Sequence, residues 1–179
     1  MIDLLSFAKA ELLRSNVDRR HPFRFFQLAT LGDYPEVRTV VKRKMDADFK
    51  LTCFTDARTT KVSQIDQNPR VSALFYDRKK QLQVRMKGEA QLIRSGMEGF
   101  APFLEQVKQA PSLLDYTCLR VPGSPYPQNG GLTFGDEIHL LVIELVPTFL
   151  DVLQLNREEH LRMAYTRTES GWQAQRWVP

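Results

Sequence analysis

Apolar side chains recur along this chain with two different periods, and each period predicts one kind of element. Near the start, five apolar residues return at the spacing of one helical face: Leu4, Leu5, Ala8, Leu12 and Leu13. This spacing predicts an amphipathic helix over residues 2–18. Further helices are predicted at 59–67, where Asn68-Pro69 ends the pattern, and at 96–108 and 111–119.

Most other apolar stretches are short, rich in β-branched and aromatic residues, and bounded by turn residues, which is typical of antiparallel strands. The predicted strands span residues 23–31, 37–45, 49–55, 71–77, 81–93, 138–147 and 149–155. Gly88 interrupts one of them and indicates a bulge or a close backbone approach. At the end of the chain, HLRMAYTR and WQAQRWVP alternate around Glu169-Ser170-Gly171, which predicts a hairpin that closes the sheet.

This succession of roughly seven to nine strands with a few helices favours a mainly β fold, a closed or partly closed β-barrel with added helices. The length of 179 residues and the apolar fraction of 42% suit a single domain over residues 1–179. No apolar run approaches the roughly 20 residues that span a bilayer, and the N-terminus lacks a positive region before an apolar core. We therefore expect a cytoplasmic protein without a membrane partner.

The cysteines, the histidines and the net charge limit the kinds of ligand that the chain is expected to bind. The two cysteines, Cys53 and Cys118, do not suggest a disulfide framework, and with His21, His139 and His160 they show no metal-ligand spacing, so we expect no metal. A net charge of +4 is compatible with a nucleic acid or with a small phosphorylated ligand. The basic residues are dispersed and lack an evident aromatic stacking series, which disfavours a nucleic acid.

Three cations lie within six residues of one predicted strand, Arg38-Thr39-Val40-Val41-Lys42-Arg43. An edge strand protected by charge explains them. An anion site explains them equally, because arginine offers a fork of donors to phosphate oxygens. Arg38 and Arg43 face opposite sides of a regular strand, so they meet at one group only if the strand bulges.

A second segment joins a strand to a helix, Phe54-Thr55-Asp56-Ala57-Arg58-Thr59-Thr60-Lys61. A helix N-terminus presents unpaired N–H groups and a partial positive charge. The hydroxyls of Thr59 and Thr60 and the Lys61 ammonium complete a phosphate cradle, although Thr and Asp also cap helices that bind nothing. A third position is Gln83, whose amide either faces solvent or both donates to and accepts from a heterocycle.

In order and spacing, these segments resemble the pyridoxamine 5′-phosphate oxidase family of FMN-binding split barrels. RTVVKR, FTDARTTKVSQIDQNPRVSALF, QVRMKG, HLRMAY and WQAQRWVP follow one another as in that family, from about Phe23 to Pro179. The resemblance implies a six-stranded, Greek-key antiparallel barrel that forms a homodimer, with one FMN in each of two clefts between the subunits. It also implies a small-molecule substrate.

The resemblance further assigns site residues. The family's FMN contacts correspond to Arg38, Thr39, Val40, Val41, Phe54, Thr55, Thr60, Lys61, Gln83 and Arg162. Thr59 joins them from the phosphate cradle described above. Arg43 replaces a lysine near the substrate, and His160 survives from the family's Arg-Leu-His substrate motif, so these two residues are the predicted catalytic contacts.

The substrate half of the pattern departs from the family. Glu158-Glu159-His160 lacks the substrate arginine, and the residues that grip the vitamin's phosphate are not recognisable around 100–112. We therefore predict an FMN-dependent oxidoreductase whose substrate need not be the vitamin B6 phosphate. The alternatives are a flavin reductase, a non-catalytic flavin- or haem-binding module of the same fold, and a basic barrel that binds nucleic acid.

Overall fold

The computed structural model describes residues 3–179, which form eight antiparallel strands and three α-helices. The strands are β1 (Phe25–Leu31), β2 (Pro35–Met45), β3 (Leu51–Asp56), β4 (Arg70–Asp77), β5 (Leu82–Ile93), β6 (Leu140–Gln154), β7 (Leu161–Thr168) and β8 (Gly171–Arg176). The helices are α1 (Leu4–Arg14), α2 (Thr60–Gln67) and α3 (Phe100–Lys108), with 3₁₀ turns at Pro22–Arg24 and Pro111–Tyr116. No helix in this described part is long and apolar enough to cross a membrane.

Six strands close into a barrel because β3 pairs on both of its edges. The strands follow the order β3-β2-β1-β4-β5-β6, and β3 also pairs with β6, so the circuit is complete. In β1, β4 and β5, buried positions alternate with more exposed ones, as expected for a barrel wall whose inward side chains fill the interior. The predicted mainly β barrel with added helices is confirmed.

The predicted C-terminal hairpin is confirmed by the pairing of β7 with β8, but it lies outside this circuit and does not close the barrel. The reason is the length of β6, whose 15 residues have two successive partners along one edge. Residues 140–145 pair with β3, and residues 149–154 pair with β7, which in turn pairs with β8. The strands predicted at 138–147 and 149–155 are therefore one strand, and the hairpin extends the sheet beyond the barrel.

Gly88 lies at a close approach between the backbones of β5 and β6. The register between the two strands shifts between Lys87 and Gly88. A Cβ atom at position 88 would lie 2.0 Å from the Val146 carbonyl oxygen and 2.8 Å from Pro147 Cα. Both features predicted from the sequence, a bulge and a close backbone approach, are confirmed.

Lys42 supports the end of α1 instead of contributing to an anion site. Its ammonium group is buried and donates to the Leu12 carbonyl at 2.8 Å and to Asn16 Oδ1 at 2.5 Å. Burial lowers the pKa of Lys42 to about 8.

The helix α1 runs over Leu4–Arg14, shorter than predicted, and residue 2, where the prediction began, lies outside the described residues.

We predict that Gly88→Ala lowers the free energy of unfolding by about 1–3 kcal/mol, because the added methyl group overlaps backbone atoms that cannot rotate away. Urea unfolding followed by tryptophan fluorescence measures the change. Gly131→Ala is the matched control, since a Cβ there meets no atom within 4 Å. That variant should stay within about 0.5 kcal/mol of the parent. Equal stability of the two variants would refute the close approach at Gly88.

Candidate functional site

A cleft opens where β2 and β3 separate. The two strands pair only through residues 42–45 and 51–53, with an irregular register. Beyond these pairs, residues 38–41 of β2 and 54–56 of β3 diverge around a cleft of about 300 Å³. Strand edges that diverge leave backbone N–H and C=O groups available to a ligand.

Most of the predicted site residues line this cleft together. They are Arg38, Thr39, Val40, Val41, Arg43, Phe54, Thr55, Thr59 and Lys61. Asp56, Asp115, Tyr116 and Pro122 complete the lining. Sequence reasoning missed the last three because they lie far along the chain, in a segment that carries no phosphate-binding or flavin-binding pattern.

One end of the cleft is cationic and rich in hydroxyl groups. Lys61, in the first turn of α2, donates from Nζ to Thr55 Oγ1 at 3.0 Å. The hydroxyls of Thr55 and Thr59 are 3.2 Å apart, and Thr59 donates to the Asp56 carbonyl at 2.9 Å. Burial lowers the pKa of Lys61, and the nearby charge of Arg38 lowers it further. Two cations held this close favour an anion between them.

Side chains at this end of the barrel hold Arg38 in the cleft wall. Its guanidinium donates to Thr30 Oγ1 and forms an ion pair of 2.6 Å with Glu36. Gln64 supports both groups: its Nε2 donates to Glu36 Oε1 at 2.7 Å, and its Oε1 accepts from Thr30 Oγ1 at 2.6 Å. The Glu36 side chain is 45% exposed, so water screens the ion pair and Arg38 is only weakly neutralised.

The other end of the cleft is aromatic. The Arg43 guanidinium lies 5.2 Å from the centroid of the Phe54 ring and donates from Nη2 to the Tyr116 hydroxyl at 3.3 Å. Burial raises the pKa of Tyr116, so the hydroxyl stays protonated at neutral pH. The Arg43 Nε is buried and finds no acceptor within residues 3–179. Such an unpaired donor is rare in folded proteins and indicates a place for a ligand atom or a water molecule.

Gln83 and Arg162 lie near each other, but on a different side of the barrel. Gln83 on β5 pairs with Leu153, and Leu153 pairs with Arg162 on β7, so the three side chains share the outer face. In the closed circuit, β2 and β5 are separated by two strands in either direction. The cleft beside β2 and the outer face of β5 therefore lie on opposite sides of one protomer.

Two further predicted residues lie outside the cleft. Thr60 is the first residue of α2 and borders a neighbouring groove with Glu36 and Gln64. His160 is exposed between β6 and β7, where its Nδ1 accepts from the Asn156 N–H at 3.2 Å. An FMN contact at Thr60 and a substrate contact at His160 remain predictions.

A buried polar cluster lies apart from the cleft and includes Glu11, His21 and Asp77, residue types that bind metals. His21 Nδ1 accepts from the Phe23 N–H at 3.1 Å, which leaves the ring proton on Nε2 for Glu11 Oε2 at 2.7 Å. Lys80 also pairs with Glu11. These contacts use the nitrogen lone pair and the carboxylate that a metal ion would need. We therefore interpret the cluster as a structural link between α1 and the turn after β4.

Sequence comparison connects this geometry to a family. Residues 8–94 match the model of the pyridoxamine 5′-phosphate oxidase, FMN-binding domain. The pyridoxine/pyridoxamine 5′-phosphate oxidase of Aliarcobacter butzleri is 36% identical over 85 residues, which are 46% of this chain and 39% of that protein. The match thus spans well under half of the relative's length.

Two solved structures share the fold over nearly the whole chain. A pyridoxamine 5′-phosphate oxidase-related, FMN-binding protein from Nostoc punctiforme superposes with a TM-score of 0.77 at 24% identity, covering 100% of this chain and 99% of its own. PhzG from Burkholderia lata, solved with tetrahydrophenazine-1-carboxylic acid, has a TM-score of 0.73 at 17% identity and coverages of 98% and 92%. The fold is the FMN-binding split barrel. Over residues 8–94, just under half of the chain, the sequence is similar to the FMN-binding domain of the pyridoxamine 5′-phosphate oxidase family.

We predict that inorganic phosphate raises the melting temperature of the chain, because an anion between Lys61 and Arg38 binds only the folded state. Lys61→Met should abolish most of this rise in scanning calorimetry. The rise should also fade as pH increases through the lowered pKa of Lys61, since the neutral amine no longer attracts an anion. Lys79→Met, which removes an exposed charge from the turn after β4, is the control and should keep the rise. An undiminished rise in Lys61→Met would contradict the anion site.

Proposed function

We propose that this chain is an FMN-dependent oxidoreductase that acts on a small molecule as a homodimer. The observation that carries the proposal is the cleft between β2 and β3, where hydroxyl, cationic and aromatic side chains lie together. The family match over residues 8–94 includes both of these strands. The name of the Aliarcobacter butzleri relative, an oxidase, supports a redox role.

The residues of the cleft fit the parts of FMN. Lys61, Arg38 and the hydroxyls of Thr55 and Thr59 offer the charged and neutral donors that a phosphate group needs. Val40 and Val41 line the cleft between its two ends and would lie against the flavin ring. The buried Nε of Arg43 offers a further donor near Phe54.

The position of the remaining predicted contacts supports the proposed homodimer. Gln83 and Arg162 lie on the outer face of the barrel, across from the cleft. One FMN can reach both groups only if the outer face of a second copy covers the cleft of the first. A twofold arrangement of two such copies gives two equivalent sites.

Bound FMN would supply the electron-transfer chemistry, and the protein would supply binding, orientation and proton handling. Lys61 and Arg38 would anchor the phosphate group. The Tyr116 hydroxyl, which burial keeps protonated, would donate a hydrogen bond within the cleft beside Arg43. Arg43 and His160 are the proposed substrate contacts.

The substrate of the proposed oxidoreductase need not be the vitamin B6 phosphate. Glu158 and Glu159 stand where the family pattern has its substrate arginine region, and Glu159 pairs with Arg176. Carboxylates in place of the arginine offer no cationic donor to a phosphorylated substrate. The same loss favours a flavin reductase as the second candidate function, because a reductase needs no such arginine.

The cheapest test is the absorbance of the purified chain after incubation with FMN and removal of the excess. We expect a yellow protein with one FMN per protomer, and a chain that retains no FMN would refute the proposal. Anaerobic mixing then separates the functions. Bleaching by pyridoxamine 5′-phosphate indicates an oxidase of that vitamin, and bleaching by a reduced nicotinamide nucleotide alone indicates a reductase. Bleaching by neither indicates another substrate or a non-catalytic module.

We predict that Arg38→Ala weakens FMN binding by about 1.5–3 kcal/mol, the usual contribution of a hydrogen bond to a charged group. Titration of FMN fluorescence measures the dissociation constant. Arg78→Ala, which removes an exposed guanidinium from the turn after β4, is the control and should leave binding unchanged. Equal affinity of both variants would remove Arg38 from the site.

A further inference from the structure

Two arginines share one buried carboxylate on the outer face of the barrel. Asp151 on β6 has 0% of its surface exposed. Its Oδ2 accepts from Arg85 Nη2 at 2.6 Å and from Arg162 Nη2 at 2.9 Å, and its Oδ1 accepts from Arg162 Nε at 3.0 Å. Burial raises the pKa of Asp151, but hydrogen bonds and charges from Arg162 and Arg85 more than offset this and hold the pKa below its usual value. The carboxylate is therefore ionised, and the three side chains carry one net positive charge.

The contacts among Asp151, Arg85 and Arg162 leave one buried N–H donor and one positive charge of this trio unmatched. The Arg85 Nε is buried and has no acceptor within residues 3–179. The Arg162 guanidinium lies 5.4 Å from the centroid of the Trp177 ring, which fixes its plane. One arginine would neutralise Asp151, so charge balance does not explain the second. An excess positive charge with a free buried donor is suited to a negatively charged ligand group.

The trio also lies beside a predicted flavin contact. Arg85 and Gln83 are two residues apart on β5 and face the same side. Leu153 pairs with Gln83 on one side and with Arg162 on the other, so Arg162 lies on this same face. In the proposed dimer, this face covers the FMN cleft of the second copy.

We propose that Arg85 is a further flavin contact and that Asp151 is a positioning residue, which holds Arg85 and Arg162 toward the negative charge of reduced FMN. The inference rests on the proposed function. Two-electron reduction leaves the flavin ring anionic at neutral pH, and protein charges near the ring tune its electronics. A fixed pair of guanidinium groups therefore favours the reduced cofactor. Without Asp151, the two like charges would repel each other.

A purely structural role predicts something different. The same ion pairs connect β7 to β5 and β6, so their loss would lower stability whether or not the flavin is near. The reduction potential of bound FMN separates the two roles, because it changes only if the charges face the ring.

We predict potential shifts of opposite sign in two variants. Arg85→Gln removes a positive charge and should make the potential of bound FMN more negative. Asp151→Asn keeps one acceptor oxygen to position the guanidinium groups but removes a negative charge, so it should make the potential more positive. Each change should alter the relative affinity for reduced and oxidised FMN about tenfold, or about 30 mV for a two-electron couple. Asp151→Glu should restore the parent potential. Arg167→Gln is the control, since its guanidinium packs on Trp172, on the other face of β7.

Potentials are measured by anaerobic reduction of the FMN-loaded chain beside a reference dye. Bound FMN with unshifted potentials in both variants would overturn this inference and leave the proposed function intact. If Asp151→Asn does not fold, Arg85→Gln decides alone, because its side chain is 37% exposed and tolerates glutamine. A parent chain that binds no FMN would overturn both the inference and the proposed function.

Discussion

The unequal pairing of β3 is the constraint on which the rest of the structure depends. β3 pairs with β6 along its whole length but with β2 only along its first half. The first pairing closes the barrel and allows its interior to be filled. The second, incomplete pairing leaves a gap in the wall, and this gap is the cleft. Closure and the candidate site are thus two consequences of one strand.

The closed circuit also decides how the predicted contacts are distributed. Residues of β2 and α2 line the cleft, while Gln83, Arg85 and Arg162 face outward from the far side of the barrel. No side-chain movement within one barrel brings the two groups together, because a packed core lies between them. The proposed site therefore depends on a second copy. In the proposed dimer, the outward-facing charged side chains of one protomer act on the ligand in the cleft of the other.

The local elements could be predicted from the sequence because each has a local cause. Alternating apolar residues indicated the barrel strands, Asn68-Pro69 indicated the end of α2, and Gly88 indicated the bulge. Long-range pairing could not be predicted in this way. The sequence prediction divided β6 after Pro147, yet this residue lies opposite Gly88, where a bulge accommodates it.

In the candidate site, too, the residues with a local sequence pattern could be predicted, and those placed by long-range packing could not. Residues 54–61 could be found because a strand followed directly by a helix start is a local pattern, and the family resemblance added Arg38 to Arg43. Tyr116 and Asp115 could not be found, since they reach the cleft only through the packing of the second apolar cluster beneath α3. The ion pairs of Asp151 with Arg85 and Arg162 join three strands, and alternation within any one strand does not reveal them.

Subunit complementation tests the central claim most directly. One variant carries Arg38→Ala and Lys61→Met, and the other carries Gln83→Ala and Arg162→Ala. If each site draws on two protomers, the two variants refolded together should bind FMN, although neither binds it alone. Random pairing gives mixed dimers with one intact site each, or about one FMN per four chains. A mixture that binds no more FMN than the separate variants would contradict a site shared between subunits.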